Sequence, residues 1–311
     1  MYTLSDRVVV VTGASSGIGR ATCHELAKIG ARVALIARNE MALESTKKEV
    51  LELGGEAEAY SVDVSDASAL EEVAGKIEND LGPIDVWINN AMVSVMSPLD
   101  KMTPEEFRRV TEVTYLGYVW GTQTALKRMK TRNSGVILQV GSVLSHVSYP
   151  LQSAYAGAKY AIKGFSEALQ SELEQSDSKV QVCVVDLPTV NTPQFNWIKN
   201  KLGRKTRPLG PILQPESAAQ VILKEVTRFK KFHLKKKFDR DEVTETPEDS
   251  AKPDNLFTPV DTDYGVHGPF DSEARERVPK LALTIVKATG IISGIAAATF
   301  LGWRYRKSTK A

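Results

Sequence analysis

Between an apolar β-branched run at residues 8–11 and a stretch of helical composition lies a glycine-rich turn, Thr12-Gly13-Ala14-Ser15-Ser16-Gly17-Ile18-Gly19. A strand that turns this tightly into a helix presents backbone N–H groups at the helix N-terminus. Glycines there allow an anion, above all a pyrophosphate, to come close to the chain. The apolar run is too short and too directly joined to the turn for a secretory leader, and it reads as a first β-strand. Thr12, Gly13, Ser15, Ser16, Gly17, Ile18 and Gly19 are therefore expected to cradle a dinucleotide.

The rest of the first 229 residues repeats the strand-then-helix theme. Strands are expected at 7–12, 32–37, 57–62, 86–89, 135–140 and 180–186, with helices such as 20–29, 40–53 and 217–229 between and after them. Short apolar strands alternating with helices imply right-handed crossovers and a parallel sheet covered on both faces. The expected fold class is α/β: one Rossmann-type, doubly wound domain over residues 1–229. The net charge of +2 gives no reason to expect a nucleic acid partner. Cys23 and Cys183 lie far apart and suggest a reducing compartment, and His24, His146, His233 and His267 have no metal-ligand spacing, so no metal is expected.

The second strand ends in Ala37-Arg38. An acidic residue at this point would bind a ribose 2′-hydroxyl and select NAD. Ala37 cannot do so, and the guanidinium of Arg38 suits a 2′-phosphate, so the expected cofactor is NADP(H).

Further along, Tyr155 and Lys159 are four residues apart at the start of a long expected helix, on one face. Reduction of a carbonyl needs a proton donor beside the oxygen, and a lysine ammonium nearby is expected to lower the tyrosine pKa. Ser142, thirteen residues before Tyr155 and at the end of a strand, is placed to hydrogen-bond the substrate oxygen.

Taken together, the turn, the Ser142–Tyr155–Lys159 group and their order resemble the short-chain dehydrogenase/reductase family, over about residues 5–225. The resemblance implies a single-domain oxidoreductase, with Lys159 also holding the nicotinamide ribose. It implies adenine contacts from Asp63 and Val64, and ribose contacts from Asn90 and Ala91, where Met92 replaces the family's glycine. Pro188 and Thr192 match positions that hold the carboxamide side of the cofactor, although Thr189 stands where the family has glycine. The family's asparagine, which seats a water on the lysine, is here Thr114. A homodimer through the helices carrying Trp120 and Tyr155 is a further implication.

A small carbonyl or alcohol, lipophilic in character, is the expected substrate. Met92, Val143, Leu144, His146 and Tyr149 would form one wall, and Phe195 and Trp197 of a lid at 193–211 the other. Residues 230–278 read as a charged, proline-containing linker or lobe, with elements like the extension of some bacterial reductases. Residues 279–311 read as a hydrophobic helix with a basic tail. Its uncharged run at 288–303, the cluster Arg304, Arg306, Lys307 and Lys310, and Trp303 and Tyr305 suggest a membrane anchor with the enzyme facing the cytosol. A packing helix on a soluble cytoplasmic protein is the alternative. For function, the alternative is a catalytically idle cofactor-binding sensor or scaffold.

Overall fold

The computed structural model describes residues 3–208 and 210–228. The expected linker at 230–278 and the hydrophobic segment at 279–311 lie outside the described residues. Among the described residues no helix is long and apolar enough to cross a membrane.

In chain order the elements are β1 (Val8–Thr12), α1 (Gly17–Lys28), β2 (Arg32–Ala37), α2 (Glu40–Glu52), β3 (Glu56–Ser61), α3 (Ala67–Asp80) and β4 (Ile84–Asn89). Then come β5 (Val95–Met96), α4 (Pro104–Thr111), a π-helical turn (Glu112–Leu116), α5 (Gly117–Arg132), β6 (Val136–Ser142) and α6 (Ser153–Gln175). The described chain closes with β7 (Gln181–Leu187), β8 (Thr189–Val190), α7 (Gln194–Trp197), β9 (Lys199–Asn200), β10 (Ile212–Leu213) and α8 (Pro215–Arg228).

Six strands form one parallel sheet in the order β3-β2-β1-β4-β6-β7. All six strands were expected, to within two residues at each end. The sheet is central because its strands are apolar on both faces. Val9 and Val11 of β1 join Val33, Leu35 and Ile88 in a core with Leu26 of α1, Leu43 of α2 and Ile222 of α8. Val8 and Val10 point the other way, toward Ile36, Trp87 and Ile137, with Leu70 of α3, Met129 of α5 and Leu169 of α6. Each such buried valine or leucine contributes about 1.5–3 kcal/mol. The three layers follow from this alternation.

The strand order reverses between β1 and β4, the kind of switch point at which doubly wound sheets bind their ligands. Thr12 pins the two loop starts together: its Oγ1 accepts from the N–H groups of Asn90 (2.9 Å) and Ala91 (3.1 Å). Asn90 Nδ2 donates back to the Thr12 carbonyl at 2.9 Å. Beneath them Asn89 is buried and fully engaged, donating to Tyr118 O, Thr122 Oγ1 and Gln139 Oε1 and accepting from Trp87 Nε1. This network ties β4 to β6 and α5 beneath the switch point.

Candidate active site

The glycine turn begins at the C-terminal end of β1. Gly17 has φ +53°, a conformation that L side chains rarely adopt, and a Cβ on Gly19 would lie 2.2 Å from the Gly13 carbonyl oxygen. Unlike α2, α3 and α4, whose first turns are capped by Asn39, Asp66 and Thr103, α1 has no side-chain cap and no acidic residue in its first turn. Its N-terminal amides and positive dipole end are thus open to an anion, which fits a dinucleotide pyrophosphate. Thr192 approaches the same turn from the other side: a Cβ on Gly17 would stand 3.1 Å from Thr192 Cγ2. Ser15, Ser16 and Ile18 complete the turn, and Pro188 is half-buried just before β8.

Just after β2, Arg38 has its side chain 60% exposed and 3.8 Å from Asp63. Asp63 itself is held by Arg109 and by the N–H (3.0 Å) and hydroxyl (2.8 Å) of Ser65. Burial acts to raise its pKa, but these hydrogen bonds and the Arg109 charge outweigh it and keep the carboxyl below its usual value. Val64 is buried. Arg109 was missed in the sequence because nothing in the spacing of α4 links it to β3.

Ser142 ends β6 and Tyr155 and Lys159 lie on the first turns of α6. The geometry brings the three together. Ser142 stands beside Tyr155 and acts to lower its pKa. Lys159 Nζ lies 5.6 Å from the centre of the Tyr155 ring and donates to Val140 O (2.7 Å) and to Tyr118 Oη (3.1 Å). Ser142 Oγ also accepts from Leu144 N at 3.1 Å, and the Ser142 N–H donates to Asp186 Oδ1 at 3.0 Å.

Electrostatics here differ from the sequence expectation. The ammonium of Lys159 was expected to lower Tyr155; around this phenol the largest influence is desolvation. Burial pushes Tyr155 up to about 12, against the neighbouring Ser142 hydroxyl and with some help from the Asp186 charge. Burial pushes Lys159 down to about 7, with Asp186 pulling the other way. Both shifts are directions a low-dielectric pocket imposes on a charge.

Thr114 is fully buried within the π-helical turn. Its hydroxyl donates to Val93 O (2.8 Å) and accepts from Val93 N (3.1 Å), fastening α5 to the segment after β4. The expected contact to a water on Lys159 has instead a direct counterpart in Tyr118, which sequence reasoning did not identify.

On the substrate side, Leu144 is buried, Met92, Tyr149 and Phe195 are half-buried, and Val143 and Trp197 are exposed at 43% and 59%. His146, expected as a wall residue, is paired through Nε2 with Asp186 Oδ2 at 2.7 Å, and its Nδ1 lies 3.1 Å from Lys163 Nζ. The lid is clipped at both ends. β9 pairs with β5 and β10 with β8, and Glu106 of α4 bonds Lys199 (2.7 Å) and Lys201 (2.6 Å). These two-residue strands are too short to carry a sequence signal.

Comparison with known proteins agrees with this architecture. The family model described as short chain dehydrogenase matches residues 7–202, and the chain belongs to that family. It is 34% identical to the uncharacterized oxidoreductase YxnA of Bacillus subtilis, over 71% of this chain and 62% of that protein, so it spans less than two thirds of that relative's length. It is also 34% identical to a 3-dehydrosphinganine reductase of Danio rerio, over 72% of this chain and 70% of the relative. A metagenomic short-chain oxidoreductase crystallised with NADP is similar in structure, with a TM-score of 0.61 and 28% identity, covering 73% of this chain and 93% of that one.

Proposed function

We propose that this protein is an NADP(H)-dependent reductase of lipophilic carbonyl compounds, or the corresponding alcohol dehydrogenase, with Ser142, Tyr155 and Lys159 as its catalytic group. One observation carries the reading: Tyr155 stands next to Ser142, and the buried Lys159 one turn along the same helix has its Nζ 5.6 Å from the centre of the Tyr155 ring, in a chain whose first helix opens on an uncapped glycine turn.

When bound, the reduced nicotinamide supplies a hydride to the carbonyl carbon. Ser142 Oγ donates to the carbonyl oxygen and holds it at Tyr155. The oxygen gains negative charge as the carbon is reduced, and Tyr155 Oη gives its proton to that oxygen. With a pKa near 12 the phenol is protonated at neutral pH and ready as an acid. Lys159 keeps one ammonium N–H beyond those given to Val140 and Tyr118, and that donor would hold the nicotinamide ribose. Re-protonation of Tyr155 completes the cycle.

Preference for NADP(H) is supported by Arg38 and by the absence of an acidic residue at Ala37. A lipophilic substrate is supported by the apolar Val143 and Trp197 at the mouth and by the similarity to a sphingoid-base reductase. Attachment to a membrane through 279–311, with the catalytic domain in the cytosol, and a homodimer through α5 and α6 belong to the same proposal. The test is NADPH and NADH oxidation against long-chain ketones, sterol ketones, aldehydes and quinones. Turnover with NADPH on apolar members supports the proposal. Binding of NADPH without turnover in either direction overturns it in favour of an idle cofactor sensor.

A further inference from the structure

Lys159 is buried at 2% exposure with an ammonium that burial works against, so whatever accepts its protons decides whether it is charged. Two acceptors are built into the fold. Val140 O lies at 2.7 Å and Tyr118 Oη at 3.1 Å, and the Tyr118 hydroxyl donates its own proton to the same Val140 carbonyl at 3.1 Å. The ammonium also sits 4.7 Å from the centre of the Tyr118 ring, within reach of its negative face. Tyr118 lies one turn beyond Thr114 on the helix that follows the π-helical turn, whereas the Thr114 hydroxyl is spent on Val93.

We propose that Tyr118 is the positioning residue for Lys159, its hydroxyl and ring doing in this chain what an asparagine-held water would do from position 114. The inference rests on the dinucleotide reading above. Burial keeps the Tyr118 phenol neutral, raised well above its ordinary value, so it stays an acceptor toward the ammonium at any working pH. The other groups facing Lys159 are the Tyr155 phenol, on its own helix, and the Asp186 carboxylate of β7, which is itself engaged with His146. Of these, Asp186 acts through space, and Tyr118 is the one side chain bonded directly to Nζ among the described residues. Removing its hydroxyl takes away an acceptor that favours the charged ammonium more strongly than the neutral amine, so the ammonium deprotonates at lower pH.

The experiment is a titration of NADPH binding by fluorescence between pH 5.5 and 9, for the unaltered protein and Tyr118→Phe. In the unaltered protein affinity falls as pH rises through the region near 7, where Lys159 loses its charge. In Tyr118→Phe the fall begins about one pH unit lower, giving roughly 3–10-fold weaker binding at pH 7.5 and near-equal binding at pH 5.5. Profiles that superimpose, or a loss equal at every pH as a merely structural role would give, overturn the proposal while leaving the dinucleotide reading intact. Should Tyr118→Phe not fold, Tyr118→Met, which fills the ring's space without an acceptor, is read in the same way. If the unaltered protein binds neither NADPH nor NADH, the dinucleotide reading fails and this inference with it.

Discussion

Lys159→Met should make this protein more stable while abolishing its chemistry. The ammonium is buried, and burial lowers its pKa from 10.5 to about 7. An unfolded lysine holds its proton up to about 10.5, so between these values unfolding takes up a proton, and stability rises with pH across that window. At pH 7 the penalty on the folded state is about 4 kcal/mol, from roughly 1.4 kcal/mol per pH unit. Methionine has nearly the same length and no charge, and removes this penalty. It also gives up the hydrogen bonds to Val140 and Tyr118, worth together about 1–2 kcal/mol, although Tyr118 still donates to Val140. The net expectation is a gain of about 2–3 kcal/mol at pH 7. The gain should shrink toward zero, or turn into a loss, near pH 10 as the penalty vanishes. Urea unfolding at pH 6, 7, 8.5 and 10 measures it. A variant less stable than the parent at pH 7, or a difference that does not change with pH, would refute the reasoning.

Three further substitutions probe other parts of the site. Arg38→Ala should raise the Kd for NADPH about tenfold and leave that for NADH nearly unchanged, because only the 2′-phosphate is deprived of a partner; isothermal titration of both cofactors checks it. Glu106→Gln removes the charge shared by Lys199 and Lys201, whose hydrogen bonds hold the Glu106 carboxyl down to about 2. The lid should loosen, and steady-state kinetics should show KM rising severalfold with a smaller change in kcat. Asp186→Asn takes away a negative charge that raises Tyr155, so the alkaline-side requirement for the phenolate in alcohol oxidation should move to lower pH. The kcat/KM profile for oxidation reads this shift, and movement to higher pH would contradict it.

The sheet was legible because β1, β2, β4 and β6 are short, apolar and bounded by turn residues, and because parallel crossovers leave few topologies. The glycine turn and the Tyr155–Lys159 spacing could likewise be read from local rules. Tyr118 could not: it meets Lys159 across 41 residues, and an isolated tyrosine on a helix looks like any packing residue. Asp186 and His146 meet across 40 residues, from β7 and the turn after β6. Thr114 was assigned toward the lysine by its sequence position, whereas the π-helical turn directs its hydroxyl to Val93. The charge beside Tyr155 could be read from the sequence, but the depth of its burial, which acts to raise its pKa, could not.

The proposed chemistry depends most directly on Tyr155 as the proton donor. NADPH-dependent reduction of a substrate found in the carbonyl panel should be compared for the parent and Tyr155→Phe, with NADPH affinity measured alongside. The expected result is a fall in kcat of about a thousandfold or more with cofactor affinity within a few-fold of the parent, since the lost hydroxyl acts in the transition state. Turnover retained within tenfold would mean that another group delivers the proton, and would contradict the catalytic role given to Tyr155.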